Sequence, residues 1–231
     1  MIRQLFPMLG TSSPSISAVR TPVPLNIDGK LEEAVYQKTI KIYLQDSRAP
    51  KIPVSSTYES FAQLAYDDTY LYVAFHCKDP DIHSSFTQRD EHLWKEEAVE
   101  VFIDTDLNDP NRYVELQVSP RNICYDSFIV DPQNIDVPKT ARYNLKDFHT
   151  AVSVDGTLNQ AGDIDQSWTV EMAVPWAEIV PDYDPSQLEK ANWRINLYRI
   201  NVDQEQKLYQ AWSPTQGSFH QPQKFGHIIF R

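Results

Sequence analysis

The chain has 231 residues, 41% of them hydrophobic, enough to bury one sizeable core, and its 32 acidic against 21 basic residues leave a formal net charge of −11. That field repels a phosphate backbone and an anionic membrane surface, and the densest basic stretch, around Lys139 and Lys146, is short and interrupted, so nucleic acid and membrane are excluded as partners. No apolar run approaches the length of a membrane span, while neutral ligands, cations and a basic protein partner remain compatible with the charge.

In chain order, residues 1–10 place Arg3 before a short apolar stretch that Pro7 and Gly10 interrupt, a poor secretion signal. The Ser-, Thr- and Pro-rich remainder makes residues 1–21 read as a flexible or processed tail ahead of a single domain, 22–231. Asp28-Gly29 marks a turn, 31–36 suits a short helical turn, and 40–44 suits a strand. Two apolar runs, 61–65 and 70–75, flank the Asp-rich break 66–69 and predict a hairpin. A second hairpin is predicted from 98–103 and 113–118 around the loop 104–110. Further strands are expected at 123–130, 148–154, 167–174, 193–200, 208–212 and 225–230, with short helices at 176–180 and 185–190. About nine to eleven strands without βαβ alternation argue for an all-β sandwich or barrel.

The alternation also sorts side chains. Val99, Val101 and Ile103 share one face, with Glu100 on the other; Glu115, Gln117 and Ser119 fall together, as do Thr169 and Glu171. Neighbouring strands would then carry a face of carboxylates and amides, or that face is simply solvated. Cys77 and Cys124 allow one disulfide or two free thiols. Burial preference favours the thiols, and no CxxC pattern suggests zinc. Asp104-x-Asp106-x-Asn108, with Glu115 eleven residues after Asp104, has calcium-loop spacing. Its strand flanks and Asp109 in the glycine position exclude an EF-hand and leave a calcium-binding hairpin loop or a solvated acidic turn. No His-x-x-x-His, Gly-x-Ser-x-Gly or P-loop pattern is present, and nothing in the sequence brings Glu100 to Glu171 as a glycosidase pair.

Several segments resemble family 9 carbohydrate-binding modules. They are Ile27-Asp28-Gly29-Lys30-Leu31-Glu32-Glu33, Tyr66-Asp67-Asp68-x-Tyr70-Leu71-Tyr72-Val73 and Trp94-Lys95-Glu96-Glu97-Ala98-Val99-Glu100-Val101-Phe102-Ile103-Asp104. Trp168-Thr169-Val170-Glu171-x-x-Val174-Pro175-Trp176, Trp193-Arg194-Ile195-Asn196-x-x-Arg199, Trp212-Ser213-Pro214 and Phe219-His220-x-Pro222-x-x-Phe225-Gly226 follow in order. The resemblance implies an antiparallel β-sandwich, jelly-roll or immunoglobulin-like, related to the sugar- and haem-binding DOMON-type domains. It implies a non-catalytic domain that holds a mono- or oligosaccharide between two aromatic walls, often with structural Ca2+ but with no required cofactor. It also implies an extracellular or periplasmic setting.

By that resemblance Trp94 matches one wall and Phe219 the other, where the family usually has Trp. Glu100 matches an acceptor of sugar hydroxyls, Gln117 stands where sugar-binding members carry Arg, Ser119 where they carry Asn, and Gln216 near another amide position. Arg to Gln removes a forked donor and a charge. An alternative is therefore a sandwich that has lost its sugar site and serves as an interaction domain for a protein partner. Haem would need an axial Met, His or Lys, and Met172 falls on the core-facing parity of its strand.

Overall fold

A computed structural model describes residues 13–109, 111–203 and 206–231. The reading of residues 1–10 as a poor secretion signal, and Pro110 of the second hairpin loop, lie outside the described residues.

The described residues are mostly β, in thirteen strands: β1 Ser15–Arg20, β2 Ile42–Tyr43, β3 Gln45–Asp46, β4 Ser60–Tyr66, β5 Tyr70–Lys78, β6 Ala98–Asp104, β7 Tyr113–Val118, β8 Cys124–Ile129, β9 His149–Asp155, β10 Ser167–Pro175, β11 Arg194–Asp203, β12 Gln206–Ala211 and β13 Gly226–Phe230. They form one hydrogen-bonded path, β8-β7-β6-β11-β13-β1-β4-β5-β10-β9, with β12 on β11, β3 on β12 and β2 on β4. The result is a nearly closed, barrel-like sheet. Both predicted hairpins form. The first is closed by Asp67, whose Oδ1 accepts the N–H of Thr69 at 2.7 Å and of Tyr70 at 2.8 Å.

The strand β1 corrects three expectations. It is a strand where a tail was expected, it helps bring the count to thirteen, and it is parallel to both neighbours in a sheet expected to be antiparallel. Ser15 to Ala18 pair with His227 to Phe230 of β13, and Val19 and Arg20 with Ala65 and Tyr66 of β4. One short strand thus joins the two halves of the path. Its alternation is real but quiet, because the inward positions are Ile16 and the small Ala18, both buried.

Short helices occur at α1 Val137–Thr140 and α2 Trp176–Ile179, and 185–190 is a 3-10 helix, as expected of the last two. Residues 31–36 stop at a turn, with Tyr36 N–H bonded to Glu33 O and Thr39 N–H to Val35 O. The strand expected at 40–44 shrinks to β2, since Ile40 faces solvent.

One core joins the halves. Val99, Val101 and Ile103 of β6 and Val114, Leu116 and Val118 of β7 meet Leu71, Val73 and Phe75 of β5 and Trp168, Val170, Met172 and Val174 of β10. Met172 is fully buried there. A charged clamp also crosses between the halves. Arg199 of β11 donates to Asp79 Oδ2 at 2.6 Å, to Ser60 Oγ at 2.8 Å and to Lys78 O at 2.8 Å, and Asn201 Nδ2 adds a bond to Asp79 at 2.6 Å. Cys77 and Cys124 are free thiols, Cys77 fully buried and Cys124 partly so.

Candidate functional site

Because the odd-numbered residues of β6 point into the core, Glu100 and Phe102 must point away from it. Register then builds a row across four strands: Tyr198 of β11 opposite Glu100 of β6, Glu100 opposite Gln117 of β7, and Gln117 opposite Tyr125 of β8. The adjacent row is Asn196, Phe102, Glu115 and Ser127. A solvated face would leave these side chains exposed, yet Glu100 is 2%, Gln117 1% and Glu115 4% accessible. The face is roofed instead. The 3-10 turn Leu93–Lys95 covers one side, with Leu93 packed against Phe86, Ala98 and Tyr125, and the loop 217–220 covers the other, beside Phe102, Tyr113 and Phe225.

Between these two apolar clusters lies a cavity of about 430 Å³, whose lining includes Trp94, Glu100, Glu115, Gln117, Tyr125, Tyr209, Phe219, His220 and Arg48. That is within the usual size of small-molecule sites, about 300–1,000 Å³. Trp94 is half-buried, stacked on His92 with centroids 4.5 Å apart and edge-on to Tyr125 at 5.1 Å. Phe219 is stacked on Tyr198 at 4.0 Å and 15°, and Tyr198 Oη holds its carbonyl at 3.0 Å. Both rings are therefore fixed before any ligand arrives, which lowers the ordering cost of binding. Asp46 Oδ1 accepts the N–H groups of Arg48 and Ala49 at 2.8 and 2.7 Å, and the turn lays the Arg48 guanidinium 4.0 Å over Tyr209.

The floor is electrostatically strained. Burial, then the charge of Glu115, holds the Glu100 carboxyl well above the usual carboxylate range. Burial pushes Glu115 up to about 7, although Gln117 Nε2 donates to it at 2.6 Å and Ser127 Oγ at 3.2 Å. His220 is pushed down to about 4 by burial, and its Nδ1 lies 2.7 Å from Tyr113 Oη.

Four of the sequence-predicted ligand residues, Trp94, Phe219, Glu100 and Gln117, therefore line one cavity, and two do not. Ser119 is wholly buried in the β7–β8 turn, where its N–H bonds Ile123 O and its Oγ accepts the Ile123 N–H. Gln216 is exposed at φ 59°, bonded through its N–H to Ser47 O, one residue before the lining loop. Arg48, Tyr125, Tyr209 and His220 were missed. Tyr125 had a signal in its parity in the β8 alternation, and His220 stands in the segment beginning Phe219-His220 that carries the resemblance; Arg48 and Tyr209 reach the cavity from a loop and from β12.

Glu171 does not join Glu100. It lies on the outward face of β10, across the core, where it accepts Asp28 N–H at 3.0 Å, Gly29 N–H at 2.9 Å and Tyr36 Oη–H at 3.0 Å. Gly29 sits at φ 84° so close to β9 that an added Cβ would meet Val152 backbone at 2.7 Å. Carboxylate oxygens of Asp28, Glu33 and Glu171 lie within 4.8 Å of one another. Of the residues with calcium-loop spacing, Asp104 is fully buried and paired with Arg194, whose Nε donates at 3.0 Å; its Oδ1 accepts the Asp106 N–H, and Asp106 Oδ1 accepts the Asn108 N–H. These carboxylates brace a hairpin turn.

The strand path and the roofed polar cavity on its outward face define the class of domain as a β-sheet domain with a ligand-sized pocket. Residues 27–231 match the family described as Carbohydrate family 9 binding domain-like, and the chain belongs to it. That family comprises non-catalytic binding modules. A protein of Arthroderma benhamiae named "Extracellular protein" is 29% identical over 179 residues, 73% of this chain and 77% of its own length. Among solved structures, a Bacteroides uniformis protein assigned to carbohydrate binding superposes with TM-score 0.70 at 13% identity, covering 95% of this chain and 100% of its own. A family 9 module of Caldicellulosiruptor kristjanssonii in complex with cellotriose gives TM-score 0.62 at 15% identity, covering 94% of each chain. The same module with glucose gives 0.61 at 15%, covering 94% of this chain and 96% of its own.

Proposed function

We propose that the chain binds a mono- or oligosaccharide, without transforming it, in the cavity between Trp94 and Phe219. The observation that carries this reading is that both aromatic residues line the same roofed cavity, over a floor made by Glu100 and Gln117. Apolar C–H faces of a pyranose pack on the two rings, and its hydroxyls donate to the floor. Ser119 and Gln216 serve from behind, the first by closing the β7–β8 turn and the second by leading into the 217–220 loop. The cellotriose and glucose held by the C. kristjanssonii module support saccharides as the ligand class.

Titration of tryptophan fluorescence with mono- and oligosaccharides tests it. Saturable quenching or a spectral shift is expected, and Trp94→Ala should abolish binding, read by calorimetry, while leaving the circular dichroism of the sheet intact. A flat response across a broad glycan panel at millimolar sugar would overturn the reading.

A further inference from the structure

The hydrogen-bonding inventory of the cavity floor is lopsided. Among the described residues nothing donates a hydrogen bond to the Glu100 carboxyl, although the side chain is 98% removed from solvent. Gln117 Oε1 is buried and unpartnered, because the amide has turned its Nε2 toward Glu115. The hydroxyls best placed to help are committed elsewhere: Tyr198, opposite Glu100 in the register, donates to Phe219 O, and Tyr113 bonds His220. An unmet buried acceptor such as Gln117 Oε1 is costly, and the Glu100 carboxyl, with no donor from the protein, lines the cavity, so the floor is built for a ligand that brings donors.

It also lacks a counter-charge. Two carboxyls lie side by side on one face and cannot both ionise without a cation between them, and Arg48 is the one Arg or Lys in the lining. Arg48 is exposed at the rim with its plane on Tyr209, and His220, held down by burial, is neutral. A sugar hydroxyl supplies a donor but no charge that would let both carboxyls ionise together. An ammonium supplies three donors and the charge together, and aromatic walls attract it as well.

We propose that the saccharide this cavity selects carries a free primary amine, with its ammonium against Glu100 and Gln117 Oε1 beside Glu115, and its ring between Trp94 and Phe219. The inference rests on the saccharide reading above and names its ligand class.

Isothermal titration of the unaltered chain with glucosamine, glucose, N-acetylglucosamine and ethanolamine, at one pH and ionic strength, tests both readings separately. Glucosamine should bind about tenfold or more tighter than glucose and N-acetylglucosamine, as expected when a charge-assisted hydrogen bond replaces neutral ones. Glu115→Gln should narrow that ratio toward one. Equal affinities for the three sugars would overturn the amine proposal and leave the saccharide reading standing. No binding of any sugar would overturn both. Ethanolamine binding as tightly as glucosamine would assign the floor to amines in general and overturn the amino-sugar proposal. The deciding ratio is measured on the native chain, so it holds even where a variant fails to fold.

Discussion

Glu100 on β6 and Gln117 on β7 stand directly opposite each other and do not hydrogen-bond. Gln117 reaches along its own strand to Glu115 at 2.6 Å, which leaves its carbonyl oxygen unpartnered and Glu100 without a donor. Side chains two apart on a strand share a face, so the register puts two carboxyls and one amide side by side under the roof of Leu93–Lys95 and 217–220. That arrangement is a poor way to stabilise a sheet and a good way to hold a polar ligand.

The first prediction is a pH dependence of stability. Burial raises Glu100 well above its ordinary value, Glu115 and Glu171 to about 7, and Glu97 to about 10. A carboxyl raised on folding stabilises fully below its unfolded value near 4.5, and that contribution is lost as pH rises toward the folded value. For Glu115 and Glu171 the loss falls between about pH 4.5 and about pH 7, with an upper slope of about 1.4 kcal/mol per pH unit for each uncoupled group. His220, lowered to about 4, and His76, also lowered by burial, act oppositely as pH falls below about 6.5, two groups against the four carboxyls. Thermal melts should therefore show the melting temperature falling from about pH 5 to about pH 7, and Glu115→Gln should flatten part of the slope. A melting temperature that rises across this range would contradict the assignment.

The second concerns the clamp between the halves. Asp79 Oδ2 receives both Arg199 and Asn201, with Arg199 wholly buried, and the Glu97 carboxyl, pushed up by burial and by Asp79, lies beside the same carboxylate. Asp79→Ala leaves a buried guanidinium without its charge partner, and should cost about 3–5 kcal/mol in urea unfolding. A loss under about 1 kcal/mol would mean that the carbonyls of Tyr58 and Lys78 suffice for Arg199.

The parts of this fold that the sequence makes legible are those whose burial follows alternation. The 98–103 and 113–118 runs were readable because Val99, Val101, Leu116 and Val118 carry large apolar groups at a period of two. The same parity exposed Glu100, Glu115 and Gln117 as outward-facing, but parity cannot say whether an outward face is roofed. The roof comes from segments without periodicity, and Arg48 and His220 arrive on such segments. Glu171 has the right parity and the wrong strand: β10 pairs with β5 and β9, far along the path from β6. Strand order is a long-range property that local pattern does not encode.

The third prediction concerns calcium. Asp104 has calcium-loop spacing, but its buried carboxylate is already neutralised by Arg194 and occupied by the Asp106 N–H. A divalent cation there would have to displace a guanidinium from a desolvated pair. Any effect of calcium or a chelator on the melting temperature should therefore be the same in Asp104→Asn as in the unaltered chain, whereas Arg194→Gln should lower the melting temperature. Stabilisation by calcium that Asp104→Asn removes would restore the calcium-loop reading.

The last prediction follows from β1. It is hydrogen-bonded to β13 on one side and β4 on the other, and its ends are tied by Arg20 N–H to Arg231 O at 2.8 Å and Arg231 N–H to Ala18 O at 3.0 Å. Just before it, Pro14 O accepts the N–H of His227, so close that a Cβ on Gly226 would meet it at 2.5 Å. Removing β1 opens two sheet edges at once and uncovers the core at Ile16 and Ala18. A chain beginning at Thr21 should therefore lose cooperative melting or aggregate, compared with one beginning at Ser13. Ile16→Ala, which keeps the strand and empties one core position, should melt cooperatively with a loss of about 2–4 kcal/mol. Were the chain beginning at Thr21 to melt like the longer one, β1 would be an addition to a sheet already complete, and the path would have to close through β13 and β4 alone.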